Sequence, residues 1–343
     1  MNRRSTRGAN GVLPAIGLFF LAPLVAEFLL GDLPIKLLPA LVLLAPMYGG
    51  GALLIRELVR RARRGWPSIF LLALAYGILE EAFTTQSLFN PNYLKLNLHL
   101  LGHGYIPALG IGAWWTVFVL ALHTVWSIST PIALVEASVP DRAGTPWLGR
   151  TGLGVTVLLF ALGIAAGTWT GFRQDHFVAS AGQFAASATV MVLLVLCAFL
   201  VKWPGPVAES GFTPGPWTVG ALGLAAGSAI LLMPPGWGWW AAGAILSLEV
   251  GGGALMLFWE RRAGWTLQHK LALAGGAALA YGWHAFIQMP AVGAGGMSTR
   301  VGNAIFAAGA VGLILFAAKR TASWSRSQAK PIAPGFPVDQ LGS

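Results

Sequence analysis

The sequence predicts an all-α protein: a polytopic transmembrane helix bundle of about ten spans with both termini in the cytoplasm. The 343 residues are 56% hydrophobic and only 10% charged, with a mean hydropathy of +0.68, a balance that water-soluble folds do not carry. Apolar runs recur at the length a helix needs to cross a hydrocarbon core, about 20 residues. The basic residues are shared very unequally among the segments between those runs.

The runs fall at about 12–31, 37–55, 67–89, 113–138, 152–171, 181–201, 217–233, 238–258, 270–289 and 301–318. They are continuously apolar, as in Val190 to Val201, which excludes a transmembrane barrel with its alternation of apolar and polar positions. An even number of spans puts both ends on one side. Of the 22 Lys and Arg residues, 18 lie in the terminal segments and the loops on that side, among them Arg56, Arg60, Arg61, Arg63 and Arg64. Only Lys36, Lys95, Arg173 and Arg300 lie on the other. The positive-inside rule assigns the basic side to the cytoplasm of an inner membrane. It also accounts for the net charge of +10 without nucleic acid, so the expected partner is the lipid bilayer. Arg3, Arg4 and Arg7 precede an apolar stretch without an A-x-A-like exit, which reads as a first span rather than a cleaved signal. Residues 1–318 form one expected transmembrane domain, and the Ser- and Pro-rich residues 319–343 an expected cytoplasmic tail without fixed structure.

Several features receive plain readings. Gly163–Gly167, Gly223–Gly227 and Gly251–Gly253 are expected to let helices approach closely. Trp114, Trp115, Trp237, Trp239 and Trp240 fall near outer ends of spans, as interfacial anchors do. Cys197, the single cysteine, reads as a small packing residue. His99 and His103 have metal-pair spacing, but the glycines around them argue for a plain loop, and Gln174-Asp175-His176 reads as a solvated turn. No motif identifies a cofactor, and metal binding is left open.

Ionisable groups inside a span are costly and face a partner or a water-filled cavity. The third run contains Glu80 and Glu81, followed by Thr84, Thr85, Gln86 and Ser87. On a helix Glu80 aligns with Thr84 and Glu81 with Thr85. The fourth run places Thr116, His123, Ser127 and Thr130 on one face. The two spans are antiparallel, and Glu80 and His123 each lie about ten residues from the outer end, roughly 15 Å deep, so they are expected to meet beside a cavity. The ninth run adds Tyr281, His284 and Gln288 at helical spacing. Glu27 and Glu249 are isolated in their runs and are the expected partners for a proton or cation route.

At these residues the chain resembles the CAAX-protease and bacteriocin-processing (CPBP) family of intramembrane endopeptidases. That family carries Glu-Glu-x-x-x-Arg, Phe-x-x-x-His and His-x-x-x-Asn/Asp motifs on three spans. Glu80-Glu81 matches the first with Thr85 in place of arginine; His123 is similar to the second with Val119 in place of phenylalanine; His284 and Gln288 are similar to the third with glutamine substituted. The resemblance covers a few residues on three of ten spans. It implies that Glu80 polarises a water, that His123 and His284 hold that water or a metal, and that Gln288 stabilises the oxyanion, with a membrane peptide as substrate.

The residues themselves leave two functional classes open: an intramembrane hydrolase with Glu80, Glu81, His123, His284 and Gln288 as site residues, or a proton-coupled transporter of a small or lipid-like solute. A structural subunit of a membrane complex is the third reading. The topology is testable without a function. A reporter active only in the cytoplasm is expected to work after Lys319, and one active only outside to work near Lys95; the opposite pattern reverses the orientation.

Overall fold

The computed structural model describes residues 6–203 and 209–328. Helix α1 (Thr6–Pro23) runs on as a π-helical turn, Leu24–Leu29, and a 3₁₀ turn, Ile35–Ala40, leads into α2 (Leu41–Arg61). Helix α3 (Trp66–Ile78) also ends in a π turn, Leu79–Thr84. The next span is composite: α4 (Ala113–Ala121), a π segment (Leu122–Ser129) and α5 (Thr130–Ser138). Then follow α6 (Arg150–Asp175), α7 (Ala181–Leu200), α8 (Pro216–Leu231), α9 (Trp239–Glu260), α10 (Leu267–His284) and α11 (Met297–Gln328).

Eight of these ten spans are long and apolar enough to cross a bilayer on their own. The 16-residue α8 and α10, which opens on the polar Gln268, His269 and Lys270, complete the expected set. Among the described residues, strand pairing is confined to a two-residue hairpin, Tyr105–Ile106 with Ile111–Gly112, in the long loop between the third and fourth spans, and an isolated bridge between Glu209 and Arg262. Two boundaries differ from the sequence expectation. The third span leaves helical geometry after Thr84, and α11 continues through residues 319–328, which the expected tail included. The rest of that tail lies outside the described residues.

The spans sort into centre and periphery. In the third and fourth spans 72% and 67% of the apolar window is buried, against 11% in α6 and 6% in α7, whose side chains face lipid. Both ends of the chain reach the same face: Gly11 lies against Trp147 and Arg142, and Arg320 Nε donates to the Ser138 carbonyl at 3.3 Å. At the opposite face Ala291 N donates to the Asp32 carbonyl and Gln183 Nε2 to the Leu109 carbonyl at 3.1 Å.

The glycines divide. A Cβ on Gly163 would lie 2.6 Å from Met47 N and one on Gly223 2.8 Å from the Leu273 carbonyl oxygen, so α6 on α2 and α8 on α10 pack backbone to backbone, as small residues allow in lipid. Gly251, Gly252 and Gly253 correct the same expectation: a Cβ there meets nothing within 4 Å. Cys197 is exposed on α7 and does not act as packing either. Trp237, Trp239 and Trp240 are exposed as anchors should be, whereas Trp114 stacks on Phe118 with centroids 5.0 Å apart and Trp115 turns inward.

At the face near both ends of the described chain the fully buried Arg56 binds Glu57 at 2.8 Å and Glu136 at 3.1 Å, with its guanidinium 3.5 Å from the Trp147 ring centre. Arg60 grips Glu136 with two nitrogens, at 2.8 and 2.7 Å, and Glu57 accepts the Trp147 and Leu148 backbone N–H groups. This network ties α2 to α5 and to the 139–149 loop. Removing one member strands a buried charge, which costs about 3–5 kcal/mol. Glu136→Gln is therefore expected to lower the unfolding midpoint in denaturant sharply; an unchanged midpoint contradicts the latch.

Candidate functional site

Three central spans leave α geometry over the turn that carries their ionisable residues: Leu24–Leu29 holds Glu27, Leu79–Thr84 holds Glu80 and Glu81, and Leu122–Ser129 holds His123. A π turn inserts one residue and swings the side chains after it round the axis, a distortion common at functional sites. Local chemistry explains each one. Pro23 and Pro131 have no N–H to return to the preceding turn, and Thr130 N bonds instead to the Val125 carbonyl five residues back. In α3 the hydroxyls of Thr84 and Thr85 reach the carbonyls of Leu79 and Glu80, also five back, at 3.3 and 3.1 Å.

His123 lies between the two carboxylates. Its Nε2 is 2.6 Å from Glu81 Oε1; its Nδ1 is 3.2 Å from Ser127 Oγ and 3.3 Å from Glu80 Oε2. All three residues are buried. The other oxygen of Glu81 accepts from Thr85 Oγ1 at 3.0 Å and from Ser87 Oγ, and Ser87 accepts in turn from Trp115 Nε1. Tyr48 stacks on the imidazole with centroids 6.2 Å apart and donates its hydroxyl to Glu27 at 2.6 Å. Tyr76 meets the imidazole edge-on at 6.0 Å. Among the described residues, Glu80 Oε2 and the Tyr76 hydroxyl have no hydrogen-bond partner.

Three carboxyl groups and one imidazole thus share a buried volume, with hydrogen bonds linking Glu81 to His123, Thr85 and Ser87, and Glu27 to Tyr48, whose ring stacks on the imidazole. Ligand atoms of Glu80, Glu81 and His123 also lie within 4.8 Å of one another, a donor set that zinc accepts.

The structure thus brings Glu80, Glu81 and His123 together, and Glu27 joins them through Tyr48. It does not bring His284 or Gln288 to them: among the described residues no hydrogen bond or ion pair connects either residue to the cluster. His284 is buried near the end of α10 with Nδ1 unpartnered, and Gln288, beyond the helix end, donates to Asp32 Oδ1 at 2.8 Å. Tyr281 is also diverted, stacking face to face on Trp126 at 4.6 Å.

A cavity lies next to the site, on another face of the same π segment. A space of about 420 Å³ is lined by Thr124, Trp126 and Ser129 of the same π segment, but by neither glutamate and not by His123. The segment therefore shows the acid cluster one face and the cavity another. His99 and His103 join no metal-ligating group among the described residues. Asp175 does more than cap a solvated turn, holding Asn90 Nδ2 at 2.8 Å and Leu94 N at 3.1 Å.

Sequence reasoning missed Tyr48, Tyr76 and Asp32. The chain has only five tyrosines, and two lie midway along otherwise apolar spans; that was the available signal.

Residues 17–235 match an uncharacterized membrane protein family. No curated protein and no solved structure matches the chain. The match overturns the resemblance to the CPBP endopeptidases, because the family matched is a different one. The geometry agrees with the correction, since the third motif of that resemblance, His284 with Gln288, is spent on α10 and Asp32.

Asp32 lies between the first two spans, and burial together with the charge of Glu27, against the Gln288 hydrogen bond, pushes its carboxyl up to about 7 from 3.8. The folded form then holds a proton that the unfolded chain has released. The stabilisation is complete below about 3.8 and is lost as the pH rises through about 7. Melting curves across this range are expected to show wild type losing stability relative to Asp32→Asn; parallel curves contradict the assignment.

Proposed function

The chain belongs to an uncharacterized membrane protein family, and we propose that it is a proton-coupled carrier of a small or lipid-like solute. The observation that carries this reading is the two-faced π segment Leu122–Ser129. His123 and Ser127 face the buried carboxylates, while Thr124, Trp126 and Ser129 wall the cavity. A proton taken up or released at His123, Glu80 and Glu81 changes the charge in a dry volume, where Coulomb energies are large. The π segment is the element both sites share, and its extra residue is what a shift in helical register would absorb. Proton binding and cavity shape are thereby linked, and linkage works in both directions. Hydrolysis would need a substrate bond within about 3 Å of the base, and the cavity that the π segment walls is lined by neither Glu80 nor Glu81.

The test uses proteoliposomes with an entrapped pH dye, an imposed gradient and a panel of cationic, neutral and anionic amphiphiles. At least one solute is expected to accelerate proton movement in wild type, and Glu81→Gln and His123→Phe to reduce that acceleration at least tenfold. Wild type and variants indistinguishable from protein-free vesicles across the panel contradict the proposal.

A second reading has one observation in its favour, the metal-compatible spacing of Glu80, Glu81 and His123. There a metal would activate water for hydrolysis within the bilayer. Equilibrium dialysis separates the two: one zinc bound per chain and lost in His123→Phe supports the metal reading, and no stoichiometric zinc removes it.

A further inference from the structure

The cavity is bounded by α3, the π segment, α8, α10 and the inner half of α9. Helix α9 packs on α4 and only slightly on α8. Its Gly252 and Gly253 border the cavity with open space where a side chain would be. The walls are almost wholly apolar and include Trp66, Phe70, Trp126 and Trp203. Two ionisable groups line them, Lys270 and Glu249. Lys270 is neutralised by Glu260, 2.5 Å away.

Glu249 is different. It is the eleventh of the 22 residues of α9, about 15 Å from either end at ~1.5 Å per residue, and so lies at mid-membrane. Among the described residues no side chain bonds it. A carboxylate at that depth is retained when something pairs with it. Ser129, another lining residue, has a buried hydroxyl that also lacks a partner among the described residues.

We infer that the cavity is a binding site for a lipophilic cation, with Glu249 pairing the charge and the aromatic walls receiving the apolar body. Tryptophan faces attract cations most strongly, and more so once the cation is desolvated, while an anion of the same shape would meet Glu249 as a like charge. The inference names the solute class of the carrier proposed above and rests on that reading for its functional meaning. Binding itself needs no proton movement.

The probe is tetraphenylphosphonium, compared with its shape analogue of opposite charge, tetraphenylborate, by equilibrium dialysis of purified protein in detergent. Wild type is expected to bind the cation saturably at one per chain and the anion at least tenfold more weakly. Glu249→Gln should weaken the cation at least tenfold with no fall in unfolding midpoint, since it removes an unpaired carboxylate at mid-membrane depth. Gly253→Leu, which fills the open space, should do the same by another route. Equal binding of cation and anion, or unchanged binding in Glu249→Gln, marks an apolar lipid cleft and overturns the inference. Loss of binding with proton movement intact overturns this inference alone; binding without proton movement overturns the carrier alone.

Discussion

The contact between His123 Nε2 and Glu81 Oε1, 2.6 Å long and sealed from lipid, is what the central spans are arranged around. A bilayer interior supplies no water to solvate a carboxylate or complete its hydrogen bonds, so each must find partners within the bundle. Here Glu81 takes His123, Thr85 and Ser87, and Glu27 takes Tyr48. Meeting those needs from three helices at one depth requires side chains to leave the direction that straight α geometry gives them. The three π turns supply that rotation, and the peripheral helices α6 and α7 then cover the result.

Much of the architecture was legible in the sequence. Span length, the basic asymmetry and the depth of Glu80 and His123 follow from period, charge and rise per residue, and those two residues do meet. The exact polar pairing was less legible. A 3.6-residue period pairs Glu81 with Thr85, which do bond at 3.0 Å, and Glu80 with Thr84, yet the Thr84 hydroxyl reaches the Leu79 carbonyl five residues back. Periodicity alone does not reveal a π turn, because its cause is a missing proline N–H or a competing hydroxyl. Long-range partners were also hidden: Tyr48 lies 21 residues from Glu27 and Gln288 256 residues from Asp32. Gly251–Gly253 read as packing glycines because composition does not distinguish a helix that touches its neighbours from one held apart by a cavity.

The two buried ion systems differ in completeness. Arg56, Arg60, Glu57 and Glu136 bond one another, and two backbone N–H groups fill out Glu57; saturated in this way, such a set fixes structure. Around His123, Glu80 Oε2 has an ion-pair contact at 3.3 Å with His123 Nδ1 but, like the Tyr76 hydroxyl, completes no well-formed hydrogen bond among the described residues. Incomplete satisfaction sets this cluster apart from the saturated latch between α2 and α5, and is what the carrier proposal builds on.

Proton content is therefore the property in which the two systems are expected to differ. The most direct measurement is infrared difference spectroscopy of the purified protein during a pH jump, following the carbonyl stretch of protonated carboxyl groups in wild type, Glu80→Gln and Glu81→Gln. Wild type is expected to show a carboxyl band that changes with pH, is altered by each substitution, and responds when the cavity is occupied. A pH-dependent spectrum identical in all three proteins, and indifferent to occupancy of the cavity, would contradict that expectation.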